Sequence, residues 1–326
     1  MSPLLTVAPM EGLTGAPFRR VHAQFFPEAD RYYLPFVTPT QEPKFTERQL
    51  KEVAPEVNQA IHAVPQLLTR RAEDFIWAAK TLSDMGYDEV NLNLGCPAGT
   101  VVAKGKGAGF LRDPAELERF LNRIFNANLP IAISVKTRLG WNSESEFDLL
   151  SDVFSHFPIH TLIIHPRLRQ DFYKGQVRRS VLESYRCALQ CPLGYNGDIL
   201  TVEDIKREST QGFSQLMVGR GLIANPALFR KARGGAAISR KEFDDYTQAI
   251  FDSYCDAFGN VKNALMRMKE YWFFWHNLFN GAEKAVKSIY KAKSLEDYQS
   301  NCRRILETYS MTEEARFGWF KPLYEP

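Results

Sequence analysis

The chain has 326 residues, 44% of them hydrophobic and 24% charged, with a formal net charge of +3 at pH 7. This composition is that of an ordinary globular protein, and the length suits two domains, or one large barrel with an appendage. No apolar run reaches the roughly 18 residues of a membrane helix, and the opening MSPLLTVAPMEG lacks the basic start and apolar core of a secretory leader. The five cysteines (Cys96, Cys187, Cys191, Cys255 and Cys302) form no C-x-x-C pair, so no metal centre is expected and a reducing, cytoplasmic setting is. The small positive charge permits a nucleic-acid partner without demanding one.

Taken in chain order, apolar runs ending at polar or glycine-bearing turns fall at 4–8, 31–37, 63–68, 89–94, 131–137, 160–165, 192–195 and 215–218. Helical patterns lie between them. One opens at Pro17-Phe18. Another, at 47–53, has Thr46 near its start and Pro55 just past its end. In 71–85 Phe75, Ile76, Ala79 and Leu82 share a face, and in 114–127 Leu117, Phe120, Leu121 and Ile124 do. Helices are also expected at 145–154, 178–189 and 201–207, and Asn225-Pro226 opens a short one. Eight strand–helix alternations predict an α/β fold, a parallel (β/α)8 TIM barrel; a doubly wound sheet fits the alternation less well than the count.

Past Gly234-Gly235 the strand patterns stop, and helices are expected at 246–258, 261–279, 281–292 and 295–309. The chain is thus expected to divide into a barrel catalytic domain, 1–234, and a C-terminal all-helical bundle, 235–326. On the second of these helices Val261, Ala264, Leu265, Met268, Tyr271, Trp272, Trp275, Leu278 and Phe279 share one face, a pattern of bundle core. Phe273 and Phe274 fall outside it, which suggests a second covered side.

The stretch 90–114, VNLNLGCPAGTVVAKGKGAGFLRDP, draws most attention. An apolar run breaks at Asn93-Leu94-Gly95-Cys96-Pro97, passes through a glycine-rich loop with Lys104 and Lys106, and reaches Asp113-Pro114, where a helix opens. One thiol sits beside a small amide and ahead of backbone that can approach a large ligand. The plain alternative is a tight turn around a buried cysteine. Chemistry in such barrels stands at the carboxyl ends of the strands. There the sequence places Ala8-Pro9-Met10-Glu11-Gly12, Gln66, Asn93 with Cys96, Lys136 with Arg138, His165 with Arg167, Asn196-Gly197-Asp198 and Gly219-Arg220-Gly221. Any one of these reads as a solvated loop residue, but their gathering on one rim is harder to dismiss. Glycine turns after the last two strands suit a phosphate, Lys136 can neutralise charge developing on a bound ring, and His165 can hydrogen-bond to it. A phosphate-bearing cofactor across the barrel mouth is expected.

The motifs Ala8-Pro9-Met10-Glu11-Gly12, Asn93-Leu94-Gly95-Cys96-Pro97, Ser134-Val135-Lys136-Thr137-Arg138-Leu139-Gly140-Trp141, His165-Pro166-Arg167, Asn196-Gly197-Asp198-Ile199 and Val218-Gly219-Arg220-Gly221 occur in the order found in a known family. The chain resembles the tRNA-dihydrouridine synthases. The resemblance implies an FMN barrel that reduces the C5–C6 bond of particular uridines in tRNA, with NADPH as electron donor. It implies that Pro9, Met10, Gln66, Lys136, His165, Asn196, Asp198, Gly219 and Arg220 hold FMN, that Asn93 and Arg167 face the target base, and that Cys96 is the general acid. Arg138 joins the substrate side, and Lys104, Lys287 and Lys291 are candidate phosphate contacts. An unperturbed thiol, with a pKa of about 8.5, is mostly protonated at neutral pH and so has the proton that C5 requires. A uridine within folded tRNA must be flipped out to be reached. The loop after Cys96 and Gly140-Trp141-Asn142 look closest to the bacterial members that act on uridine 16. Pro166 after His165, Thr69, Tyr195 and Leu34-Pro35-Phe36 depart from the family's usual residues. A monomer without metal or membrane attachment is expected. Two other readings share some of these residues: an FMN enzyme acting on a free pyrimidine, and an RNA-binding barrel without redox chemistry.

Overall fold

A computed structural model describes residues 2–315; residues 316–326 of the expected helical bundle lie outside the described part. Strands alternate with helices in the order β1 (Leu4–Val7), β2 (Arg31–Tyr33), β3 (Ala63–Val64 and, past Pro65, Gln66–Leu67), β4 (Glu89–Leu94), β5 (Ala132–Gly140), β6 (Leu162–Leu168), β7 (Leu193–Tyr195) and β8 (Gln215–Val218). Parallel pairs join β1 to β2, β2 to β3, and then each strand to the next as far as β8. Strand β1 neighbours β8. Pro65 has no N–H to give the ladder, which is why β3 is split. Its two halves still bond on both sides: Leu34 N donates to Val64 O at 2.9 Å and Asn91 N to Pro65 O at 2.8 Å. The ring therefore closes, and the chain forms a (β/α)8 barrel.

Ala8, Tyr33, Val64, Ile163 and Met217 form one buried cluster. They come from strands spaced around the ring, so they meet only by pointing inward. Register carries polar groups to the same side, because facing residues of parallel strands project alike. Asn91 lies opposite Ser134, Asn93 opposite Lys136, and Arg138 opposite His165. Glu89, on the same face of β4 and buried, accepts from Arg31 Nη1 at 2.6 Å and from Tyr33 Oη at 3.1 Å. Desolvation of Tyr33, reinforced by Glu89, holds its hydroxyl well above the ordinary value, so it stays a donor.

The chain forms two compact units. The first comprises the residues up to Pro9, Arg31–Gly197 and Glu208–Met217, and holds the whole ring apart from Val218. The second comprises Met10–Asp30, Asp198–Arg207 and the chain from Val218 onward. Its helix Ala16–Phe25 packs with the tail helices: Phe18 stacks on Tyr271, and Phe25 meets Tyr246 edge-on. Trp275, fully buried, stacks on Tyr271 at 4.9 Å and meets Phe243 at a steep angle. Of the expected core stripe, every member is buried except Val261, which opens its helix and is 46% exposed.

Several expected bounds move. The extended run 31–37 is strand only to Tyr33, because Pro35 interrupts it and only Val37 rejoins the sheet as a bridge. The glycine-rich stretch after Cys96 holds a helical turn, Gly99–Val102, and a 3-10 turn, Gly107–Arg112. The first tail helix is longer than expected, Arg240–Phe258, since Ser239 caps it and Glu242 closes a capping box. The region 281–292 is helical only at Val286–Lys291. Among the described residues no helix is long and apolar enough to cross a membrane.

Replacing Ser239 by Ala removes the acceptor for the Glu242 N–H. The expected cost is about 1 kcal/mol, seen as a lower midpoint in chemical unfolding followed by circular dichroism. An unchanged midpoint would mean that the cap contributes nothing.

Candidate active site

The thiol of Cys96 is placed by the side chain of Asn93. Asn93 Oδ1 accepts from Gly95 N at 3.1 Å and from Cys96 N at 2.9 Å, which turns the chain at the end of β4. Its Nδ2 donates to Gln66 Oε1 at 2.7 Å, and Gln66 Nε2 donates to Asn91 Oδ1 at the same distance. Asn91 Nδ2 then donates to Ser134 Oγ at 2.8 Å. Each amide in this buried chain has its oxygen and nitrogen assigned by the next partner. From the other side, Arg138 Nε donates to Gly95 O at 2.8 Å and its Nη1 to Leu168 O at 3.0 Å. Cys96 itself is partly accessible. Two glycines let the following turn lie against it. A Cβ on Gly107, at φ +56°, would stand 2.9 Å from Cys96 O, and one on Gly109 would stand 2.8 Å from Val102 Cα and O.

Three cations share this end of the ring. Lys136 lies opposite Asn93 on β5. Desolvation, aided by Arg138, lowers its ammonium to about 7, against a smaller upward pull from Cys96. Near neutrality it is therefore poised between its two forms. Desolvation also lowers Arg138, to about 10, so that group stays charged. Arg167 is fully buried, gives Nη2 to Gly175 O at 2.6 Å, and sets Nη1 at 3.1 Å from His165 Nε2. A guanidinium can only donate, so Nε2 is the acceptor and a neutral His165 carries its proton on Nδ1. Tyr173 was not expected from the sequence. It stacks on His165 at 6.2 Å and lies 5.3 Å beneath the Arg138 guanidinium. Trp141, which closes the Ser134–Trp141 motif, meets two guanidiniums that the sequence did not foretell, Arg112 at 4.7 Å and Arg169 at 4.6 Å. Neither set of contacts carries a sequence signal, since both depend on loops from different strands meeting.

The remaining expected residues are distributed as follows. Asn196 Nδ2 donates to Met217 O at 2.7 Å, tying the end of β7 to β8. Pro9, with Gln66, Asn93, Cys96, Lys104, Lys136, Arg138, His165, Arg167 and Asn196, belongs to the first unit. Met10, Asp198, Gly219, Arg220, Lys287 and Lys291 belong to the second. There Arg220 Nη2 pairs with Asp198 Oδ1 at 2.7 Å. A Cβ on Gly221 would meet Ile199 O at 2.3 Å, so that turn requires glycine. Lys104, Lys287 and Lys291 are exposed. Arg138 and Arg167, expected on the substrate side, have their guanidinium donors on main-chain carbonyls and on His165. Among the described residues no group of three or more His, Cys, Asp or Glu is placed to hold a metal ion.

The model of one protein family, Dihydrouridine synthase (Dus), matches residues 6–315, nearly the whole described chain. The chain belongs to the dihydrouridine synthase family. Over 324 residues it is 25% identical to the tRNA-dihydrouridine synthase B of Pseudomonas putida, with 95% of this chain and 93% of that protein covered. Over 273 residues it is 28% identical to a probable tRNA-dihydrouridine synthase of Rhodobacter capsulatus, covering 79% and 82% of the two chains. Among solved structures, morphinone reductase superposes with a TM-score of 0.51 at 13% identity, over 73% of this chain and 87% of that one, a likeness of fold alone. The motifs that suggested the family thus lie within a match that runs through both units of this synthase-family chain.

Lys136 gives the site a pH signature. Its folded pKa, about 7, lies below the value near 10.4 of an unfolded lysine, so between them the unfolded chain binds more protons. Stability of the ligand-free protein should therefore rise with pH across this window, by at most about 1.4 kcal/mol per unit, with the full penalty present below it. Lys136→Met should flatten that slope in unfolding curves taken from pH 7 to 10. A slope unchanged in the variant would show that the ammonium is well solvated.

Proposed function

We propose that this chain is a tRNA-dihydrouridine synthase: an FMN-dependent, NADPH-using oxidoreductase that reduces the C5–C6 bond of a uridine in the tRNA D-loop, at position 16. The observation that carries the reading is the placement of Cys96 in a family member. One thiol is held at a strand end by Asn93 and Arg138, beside a lysine poised near neutrality.

The residues present suit a flavin. An electron-accepting ring that gains negative charge on reduction needs donors and a cation. Lys136, a desolvated ammonium, and the Nδ1–H of a neutral His165 offer both, with Gln66 as an oriented amide. In this reading Lys136, His165, Gln66, Asn196 and the backbone at Pro9 and Met10 hold the ring, and Gly219-Arg220 and Asp198 flank the phosphate. The hydride that C6 of the uracil gains would come from FMN held there and reduced by NADPH.

This chain's own task is the proton. Cys96 Sγ holds it and delivers it to C5, so the thiol must begin neutral and end as thiolate. Partial deprotonation of Lys136 near pH 7 keeps that neighbour from ionising the thiol early, while the permanently charged Arg138 stabilises the thiolate once the proton has left. Asn93, Arg138 and Arg167 border the place of the target base, and their bonds to Gly95, Cys96, Leu168 and Gly175 hold that border rigid. Lys104 beside the thiol, and Lys287 with Lys291 on the tail, serve the tRNA phosphates. We place the enzyme in the cytoplasm, acting as a monomer, with residues 1–234 as the catalytic domain and 235–326 as the tRNA-binding domain.

The decisive experiment incubates the purified protein with an unmodified tRNA transcript and NADPH, then maps the mass of each nuclease fragment. A gain of two hydrogens on one uridine is expected. No gain from a yellow protein that still oxidises NADPH would sink the tRNA reading and favour a free pyrimidine. Cys96→Ala should remain yellow and oxidise NADPH, yet form dihydrouridine about 10²- to 10⁴-fold more slowly. A colourless variant would instead give the thiol a structural role. Charge reversal at Lys287 and Lys291 should weaken tRNA binding and lower its salt dependence by about one unit of slope per lost contact, with NADPH oxidation unchanged. Unaltered affinity would remove these two lysines from the interface.

A further inference from the structure

Within the first unit, three loops that follow the adjacent strands β4, β5 and β6 build a column of alternating cations and rings that the proposed reduction leaves unused. Arg112, which ends the 3-10 turn after Cys96, lies 4.7 Å from the ring of Trp141, the residue after β5. Arg169, the residue after β6, lies 4.6 Å from the same ring and 4.9 Å from that of Phe172. The contacts therefore run Arg112, Trp141, Arg169, Phe172. Phe172 ends the column and is 43% exposed. Its backbone shows that the exposure is imposed. It holds φ +51° and ψ −103°, outside the regions a bulky residue ordinarily takes. The loop fixes it there: Phe172 N donates to Arg169 O at 3.1 Å, Lys174 N to Asp171 O at 2.8 Å, and Leu168 N to Asp171 Oδ2 at 2.8 Å. Buried Arg167 closes the loop on Gly175 O at 2.6 Å. A large apolar ring held outward on a strained backbone gains little from burial, and such strain collects where ligands bind.

One dipeptide joins the column to the strand-end site. Phe172 leans on Arg169, while its chain neighbour Tyr173 leans on His165 and Arg138. The acids of these loops are bound to other groups. Asp171 and Glu144 pair with Arg178, Glu146 accepts from the N–H groups of Trp141 and Asn142, and Asp113 caps the helix it opens. A partner that suits a flat ring backed by cations is a base with its phosphate. Resting on the RNA reading above, we propose that Phe172 stacks on the base next to the target uridine in the strand, with the cations behind it drawing the phosphate backbone. Extruding a uridine breaks its stack on that neighbour. A ring supplied by the protein beside the pocket replaces the lost stack, and Phe172, one residue from the ring that meets His165, is so placed. It touches the RNA but no reacting atom.

The test uses the flavin-loaded full chain and unmodified tRNA transcripts across a salt series. Phe172→Gly removes the ring and suits a positive φ. It should bind tRNA about tenfold more weakly, the size expected for losing one base stack. The salt slope should not change, because no phosphate contact is lost. The unfolding midpoint should be no lower than that of the wild type, since the strain goes with the ring. Phe172→Tyr keeps a ring and should bind as the wild type does. Ultraviolet cross-linking of the wild-type complex should join Phe172 to a nucleotide adjacent to the one that becomes dihydrouridine. Wild-type affinity in Phe172→Gly, equal weakening in Phe172→Tyr, or a cross-link to the reduced uridine itself would overturn the proposal. Weaker binding together with a lower midpoint would also overturn it, because the ring would then only hold the loop. Dihydrouridine formation with unmoved Phe172→Gly affinity would remove the stack alone. Tenfold weaker Phe172→Gly binding in a protein that forms no dihydrouridine would remove the reaction and leave the ring's hold on the RNA.

Discussion

The site depends on one side chain, the amide of Asn93. Its oxygen takes two main-chain N–H groups, of Gly95 and Cys96, and its nitrogen is fixed by Gln66. A primary amide can do both at once, and no other small side chain offers an acceptor and a donor in that fixed relation. Aspartate would keep the turn but lose the donor to Gln66. Leucine would fill the space and leave two N–H groups without this partner. The thiol is thus positioned by a chain of amides that runs back through Asn91 to Ser134 inside the ring. Within a low-dielectric interior such a network is costly when half satisfied and rigid when complete. Rigidity is what the proton donor of the proposed reaction would need, since its reach to the accepting carbon must hold to a fraction of an ångström.

The electrostatics of the same region run against stability. Arg138 and Arg167 are buried and Lys136 half-buried at one end of the ring, and desolvation lowers the pKa values of Lys136 and Arg138. Packing alone gives no reason to gather three cations at the end of a barrel, and the arrangement costs stability in the ligand-free chain. Main-chain carbonyls of Gly95, Leu168 and Gly175 and the π face of Tyr173 offset part of that cost for the two arginines. Lys136 is the group left to respond by shedding its proton. A ligand that brings negative charge reverses the balance, which makes the cluster a preorganised electrostatic site.

The sequence was informative where one local signal decides the structure. Eight apolar runs with helical patterns between them gave the barrel, and the two-residue spacing of Lys136 with Arg138 and of His165 with Arg167 put each pair on one face. The glycine-rich stretch was legible as a close approach, although it contains helical turns. Ser239 and Glu242 formed a readable capping box, and with Phe243 on the buried face they set the helix start ahead of the expected 246. Other features were not legible, because they arise where distant segments meet. Tyr173 reaches His165 and Arg138, and Arg112 and Arg169 enclose Trp141, through loops that follow different strands. The holding tasks of Arg138 and Arg167 were hidden for another reason. A guanidinium at a strand end reads alike whether its donors meet a ligand or a carbonyl, and only the acceptors distinguish the two.

Chemistry and recognition are built on different kinds of element, with different consequences for change. Cys96, Lys136, Arg138, His165 and Arg167 sit on or beside strands whose neighbours on both sides are hydrogen-bonded, so a shift at one is resisted by the ring. Lys287 and Lys291 lie on a helix only six residues long, held by Lys269 at its end. A short, exposed helix can vary its surface at little cost to the core. In the proposed reading, where the lysines of that helix meet the RNA, contacts with the substrate are more easily altered there than at the strand ends.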